Sequence, residues 1–164
     1  MIKIAYLHGL ESNNCGPKND WLRTFSDVYD PLSDYYETGI YQTLKSEILD
    51  FQPELIIGSS MGGFFAYQIS KELDIKTVLF NPALHSRSVE PDMTGFLQGN
   101  ARPKTHAVFG ICDDVIDPFA TENILKKEGN PNLSTIFFTH GHGTPLEVFM
   151  SETNKFTTVH FVTK

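Results

Sequence analysis

Short apolar runs punctuate the chain. Residues 2–7 alternate little between apolar and polar, and 77–80 read the same way, so each is expected to form a strand buried on both faces. Residues 55–57, 105–109 and 133–139 are further strand-like runs, and 28–31 form a weaker one. Between them the apolar period lengthens. Ile40, Leu44, Ile48 and Leu49 fall at helical spacing, and Pro53 should stop that helix. Trp21, Leu22 and Phe25 belong to a shorter helix that Asn19 or Asp20 is expected to cap. Phe64, Phe65, Tyr67, Ile69 and Leu73 are apolar on more than one side, as in a deeply buried helix. Residues 119–127 read as a helix ending at Gly129, and 145–150 as the start of a short one. Residues 85–102 lack periodicity and read as a long excursion with one helical turn at Phe96-Leu97. The final run, 156–162, is β-like: an added edge strand, a pairing element for a second subunit, or a poorly ordered tail.

Strands that alternate with helices imply an α/β protein with a mostly parallel sheet. The chain length of 164 suits a single domain, and no repeat or linker interrupts it. The net charge of −7 comes without a basic run, which argues against a nucleic-acid partner. Residues 1–7 are too short for a signal peptide, and no apolar stretch approaches a membrane span. Cys15 and Cys112 form no C-x-x-C pair and are expected to be reduced packing residues of a cytoplasmic protein.

One stretch carries candidate chemistry. Leu55-Ile56-Ile57 runs into Gly58-Ser59-Ser60-Met61-Gly62, a strand, a sharp turn and a helix start with the G-x-S-x-G spacing of a nucleophile elbow. A serine at the apex of so tight a turn is strained, and its neighbours two residues away must be small. The turn lifts the Ser60 hydroxyl above the sheet and aims helix N–H groups at whatever it attacks. The alternative is a glycine-rich strand–helix turn with an incidental serine. Reactive groups of a parallel α/β sheet gather at the carboxyl ends of strands. Four such ends stand out here: His8-Gly9, Ser60, Asp113-Asp114 and His140/His142. The last three supply a nucleophile, an acid and a base in the order of the α/β-hydrolases. A serine hydroxyl needs an imidazole to take its proton, and the imidazole needs a carboxylate to fix its tautomer. The H-x-H pair is also compatible with zinc, although no H-E-x-x-H or H-x-x-E-H pattern accompanies it.

The chain resembles the small bacterial α/β-hydrolase esterases of the YqiA type. The matching residues are Tyr6-Leu7-His8-Gly9, Gly58-Ser59-Ser60-Met61-Gly62-Gly63, Asn81-Pro82-Ala83 and Asp113-Asp114-Val115-Ile116-Asp117. The resemblance implies a three-layer α/β/α sandwich of six or seven strands with a minimal cap. It implies Ser60 as nucleophile and Asp113 as triad acid, with Asp114 the runner-up and Asp117 a helix N-terminal residue. It implies His142 as base, with His140 the alternative. Backbone N–H groups of Met61 and Leu10 would form the oxyanion hole, and His8 would prop the loop that carries Leu10. His85, His106 and His160 are expected to be structural or on the surface. Tyr35, Tyr36, Phe64, Phe65 and Phe96 are candidates for an acyl pocket.

The expected activity is hydrolysis of a small carboxylic ester or thioester through an acyl-enzyme, with no cofactor and no metal. The short excursion leaves little lid, which favours short acyl groups. Two other readings keep the fold: a catalytically silent binding domain, and an acyltransferase or lyase using the same triad.

Overall fold

The computed structural model describes residues 1–157. Its elements follow in chain order as β1 (Ile2–Leu7), α1 (Pro17–Arg23), β2 (Ser26–Tyr29), α2 (Ile40–Phe51), β3 (Leu55–Ser59) and α3 (Met61–Leu73). Then come β4 (Thr77–Phe80), β5 (Thr105–Gly110), α4 (Pro118–Lys127), β6 (Leu133–Phe138) and α5 (Leu146–Thr157). The six strands form one sheet in the order β2-β1-β3-β4-β5-β6, and every pair is parallel.

Successive strand residues point to opposite faces, so a strand without polar alternation must feed two cores. In β1, Ala5 and Leu7 enter one core with Tyr41, Leu44, Phe65 and Leu125 from α2, α3 and α4. Ile4 and Tyr6 enter the other with Leu22 and Phe149 from α1 and α5. Helices on both faces make the three-layer α/β/α sandwich that the resemblance implied, around the parallel sheet that the strand pattern implied. The strand order reverses direction at β1 and β3, the place where a doubly wound sheet opens a crevice at its carboxyl edge.

Several local expectations change. Helix α1 is capped by Gly16 rather than Asn19 or Asp20. Pro17, which lacks an N–H and has its φ preset, takes the first helical position. Asn19 lies inside the helix, buried, and its Nδ2 donates to Asp30 Oδ2 at 2.8 Å. Helix α2 ends as expected: Gln52 closes it in the left-handed conformation and Pro53 follows. Leu49 is 57% exposed, so the buried stripe is Ile40, Tyr41, Leu44 and Ile48. No helical turn forms at Phe96-Leu97. The chain makes a turn there, with Phe96 N–H on Met93 O, and Leu97 N–H is drawn to Glu72 Oε1 at 2.8 Å.

The last helix is twelve residues long rather than short. Phe156 and Thr157, expected to be β-like, are its final residues. Phe149, Thr153 and Phe156 recur at helical spacing on its buried face, and that spacing outweighs the β-branched composition of the tail. The rest of the 156–162 run lies outside the described residues, as does His160. Cys15 and Cys112 are both exposed free thiols rather than packing residues. Each sits in a loop outside either core. No helix among the described residues is long and apolar enough to cross a membrane.

Candidate active site

Ser60 stands between β3 and α3 with φ 53° and ψ −116°, a backbone conformation that an L-residue rarely adopts. Holding it costs about 1–3 kcal/mol. The surroundings over-determine it. Ser60 N–H donates to Phe80 O at 3.0 Å, and Ser60 O accepts from Phe64 N at 3.1 Å and Ala83 N at 3.0 Å. The flanking glycines are required by contact. A Cβ at Gly58 would fall on the Gly62 carbonyl and within 2.7 Å of Ala66 Cβ. A Cβ at Gly62 would strike the carbonyls of Leu7 and His8. The elbow is therefore pressed against the end of β1.

His142 lies in the loop after β6. Its Nε2 is 2.9 Å from Ser60 Oγ, and its Nδ1 is 2.8 Å from Asp113 Oδ2. The carboxylate can only accept, so Nδ1 carries the proton and Nε2 is left to accept from the serine hydroxyl. The Asp113 side chain is 1% exposed. Its second oxygen, Oδ1, accepts from the Val115 and Ile116 N–H groups, both at 2.9 Å. Those two bonds aim the carboxylate at the imidazole.

The neighbouring candidates are placed elsewhere. Asp114 is exposed. Asp117 caps α4, its Oδ1 accepting from Phe119 N and Ala120 N. His140 turns away from Ser60: its Nδ1 bonds Gly141 O at 2.8 Å and its ring stacks on Phe138. Both nitrogens of His142 are engaged, which leaves the H-x-H pair no joint ligand site, and no group of three potential metal ligands converges among the described residues.

His8 accepts the Ser33 N–H at Nε2, so its Nδ1 is the protonated nitrogen and donates to Gly9 O at 2.7 Å. Tyr35 O–H donates to His8 O at 2.6 Å. Burial pushes the Tyr35 phenol well above its usual range, so it remains a donor at any ordinary pH. Together they brace the loop on which Leu10 sits. Met61 opens α3, where its N–H has no carbonyl one turn back. Leu10 and Met61 both flank Ser60 in one cavity wall.

Two cavities meet at Ser60. One, of about 210 Å³, is bordered by Tyr6, Ser12, Lys18, Ser59 and Thr144. The other, of about 270 Å³, is bordered by Met61, Ala83, Val115 and Ile116. Leu10, Ser60 and His142 line both. The aromatic residues expected in an acyl pocket line neither. Tyr35, Phe64 and Phe65 are buried in the core, Tyr36 is an exposed partner of Glu11, and Phe96 packs edge-on against Tyr41. A larger cavity, about 540 Å³ beside Lys71, Arg102 and Glu128, does not reach Ser60.

One positioning residue, part of a motif noted in the sequence, had no role assigned to it there. Asn81, buried just past β4, donates from Nδ2 to His142 O at 2.7 Å and Gly141 O at 3.3 Å, while its Oδ1 accepts Gly110 N–H at 2.8 Å. It ties the histidine loop to β4 and β5. An Asn-Pro pair ending a buried strand was the available signal, and it reads first as a chain breaker.

A family model described as an uncharacterised protein family, UPF0227, matches residues 3–114. No curated protein shows significant similarity to the chain. Among solved structures, the esterase PE8 is 14% identical over 94% of this chain and 90% of its own, with a TM-score of 0.73. A monoacylglycerol lipase from Paleococcus ferrophilus is 12% identical over 94% and 93%, with a TM-score of 0.72. Alpha/beta hydrolase domain-containing protein 10 from mouse is 12% identical over 93% and 88%, with a TM-score of 0.73. At such identities the likeness is one of fold, and the fold is that of the α/β-hydrolases.

Proposed function

The chain belongs to the UPF0227 family, and we propose that it is a serine hydrolase that cleaves a small carboxylic ester or thioester through an acyl-enzyme. The observation that carries this reading is the unbroken hydrogen-bond chain from Ser60 Oγ through His142 to Asp113, with links of 2.9 and 2.8 Å. Ser60 Oγ attacks the carbonyl carbon while its proton passes to His142 Nε2. Asp113 holds Nδ1–H and stabilises the imidazolium. The oxyanion accepts from the N–H groups of Met61 and Leu10, each donor contributing about 3–4 kcal/mol in the transition state. The leaving alkoxide or thiolate takes the proton from Nε2. Water then repeats the sequence, and the acid is released with Ser60 restored. No cofactor enters these steps.

Substrate size follows from the cavities. Each is smaller than the roughly 300–1,000 Å³ usual for drug-sized ligands. Residues 81–104 add no cap helix over them. The excursion is pinned down instead: Arg87 lies over the Phe64 ring and donates to Ala83 O and Leu84 O. Acetyl and butyryl esters should therefore be better substrates than long-chain ones. We read residues 1–164 as a single hydrolase domain working in the cytoplasm, where two exposed thiols stay reduced.

The test is covalent. A fluorophosphonate should label Ser60, seen as a mass shift on its peptide, and labelling should vanish in Ser60→Ala and collapse in His142→Ala. If the folded protein is not labelled and turns over no p-nitrophenyl ester from acetate to palmitate, the reading is wrong.

A further inference from the structure

The smaller cavity beside Ser60 contains a cation without a counter-charge. Lys18 borders it, half-buried, and its ammonium lies 5.5 Å from the centroid of the Phe149 ring. Among the described residues no carboxylate or other acceptor reaches its Nζ. Lys3, Lys76, Lys104 and Lys127 also hold no carboxylate among the described residues, but none of them borders a cavity beside Ser60. Lys45, Lys71, Lys126 and Lys155 each hold a carboxylate at 3.2 Å or closer. No acidic residue lines the Lys18 cavity at all. Its other polar groups are neutral: the hydroxyls of Tyr6, Ser12, Ser59 and Thr144. Burial alone pushes the Lys18 ammonium below its usual range, with no charge partner to hold it up. A partly desolvated cation facing donors and no anion is arranged to receive an anion from outside.

We propose that Lys18 is the specificity residue of this site, and that the substrate carries an anionic group, a carboxylate or a phosphate, on the half that occupies the cavity beside it. The opposite cavity, walled by Met61, Ala83, Val115 and Ile116 with Ser86, Arg87 and Ser88, takes the other half; its one cation, Arg87, is already paired with Glu90 at 3.2 Å. The cleaved bond spans the two where Leu10, Ser60 and His142 meet. The assignment rests on the hydrolase reading for the chemistry but not for the binding. It makes the enzyme one that works on acidic esters despite the chain's own net charge of −7. Lys18 supplies the local attraction that the overall charge opposes.

Binding and turnover test it separately. Calorimetry on Ser60→Ala protein should detect 4-acetoxybenzoate and 4-acetoxyphenyl phosphate, with neutral methyl 4-acetoxybenzoate bound about tenfold more weakly. Monoethyl and diethyl glutarate place the same contrast on the acyl side. Lys18→Met keeps the stem over Phe149 and removes the charge, and it should bring the anionic-to-neutral ratio to about one. Lys18→Arg should restore most of it. In the active protein the same ratio should appear in kcat/KM. If neither anionic pair is preferred over its neutral partner, or if Lys18→Met retains the preference, the proposal fails. If Lys18-dependent binding is found but no ester is hydrolysed, the anion site stands and the hydrolase reading falls.

Discussion

Among the described residues stand two serine–histidine–carboxylate chains of nearly identical dimensions. In one, Ser60, His142 and Asp113 are linked at 2.9 and 2.8 Å. In the other, Ser134, His106 and Glu152 are linked at 2.7 and 2.8 Å. The ring is reversed in the second: Nδ1 faces the serine and Nε2 faces the acid. Larger differences lie around the serine. Ser60 sits at a strained apex over a helix start, opening on two cavities. Ser134 is the second residue of β6, in register with His106 on β5, near the end of the sheet opposite the site. No helix begins beside it to offer free N–H groups. His142 is 26% exposed at its side chain, whereas His106 is 7% exposed and stacked against Phe156. The acids differ too. Asp113 spends its second oxygen on backbone N–H groups, while Glu152 also holds Lys155. The first arrangement leaves an imidazole nitrogen beside a reachable hydroxyl. The second locks α5 to the sheet. Three residue types at hydrogen-bond distance are not sufficient for catalysis; access and a neighbouring helix start are what set the two arrangements apart.

The sharpest break between the two should come from the serines. Ser60→Ala should lower ester hydrolysis on the order of 10⁴- to 10⁶-fold, and Ser134→Ala should leave kcat/KM within about twofold. Equal losses, measured on one p-nitrophenyl ester, would erase the distinction. Asn81→Ala frees the His142 loop from β4 and β5 and should cost about 10²-fold in kcat, because small misplacements of a reacting group are expensive. Fluorophosphonate labelling should slow in parallel. On the structural side, Glu152→Ala removes one partner of a buried pair and should destabilise the fold by about 3 kcal/mol in urea denaturation. Activity per folded molecule should hold.

The smallest effect is on pH dependence. Burial alone would raise the Glu152 pKa, but Lys155 and His106 together hold it below its ordinary value of 4.5. A depressed acid stabilises the fold fully above pH 4.5 and loses that contribution as pH falls through the folded value. Wild type should therefore lose stability below pH 4.5 more steeply than Glu152→Gln. Parallel curves would mean that the carboxylate charge does not matter there.

The legible part of the fold was the part with a strong period. Residues 2–7 and 77–80 read as doubly buried strands because their apolar and polar positions scarcely alternate, and 105–109 read as a further strand. The α1 cap was misread because Asn19 is a good cap residue in general, and only Asp30, brought alongside by β2, draws it away. The end of α5 was misread because Thr and Val favour strands locally, while the contacts that hold Phe156 come from the sheet and the residues stacked on it.

Along the chain alone, the elbow could be found, since Gly58 and Ser60 answer to constraints acting within a few residues, although the contact that requires Gly62 comes from the end of β1. The alternation of strands and helices was determined in the same way. Folding decided everything that depends on distant segments meeting. It selected His142 over His140, which stand two residues apart at the end of one strand with similar chemistry. It gave Asp113 rather than Asp114 to the imidazole, made Asn81 a tie between strands, and brought Lys18 to the cavity beside Ser60. Local sequence encodes backbone preference, but the direction a side chain faces and the partner it meets are set by the packing of the whole sheet.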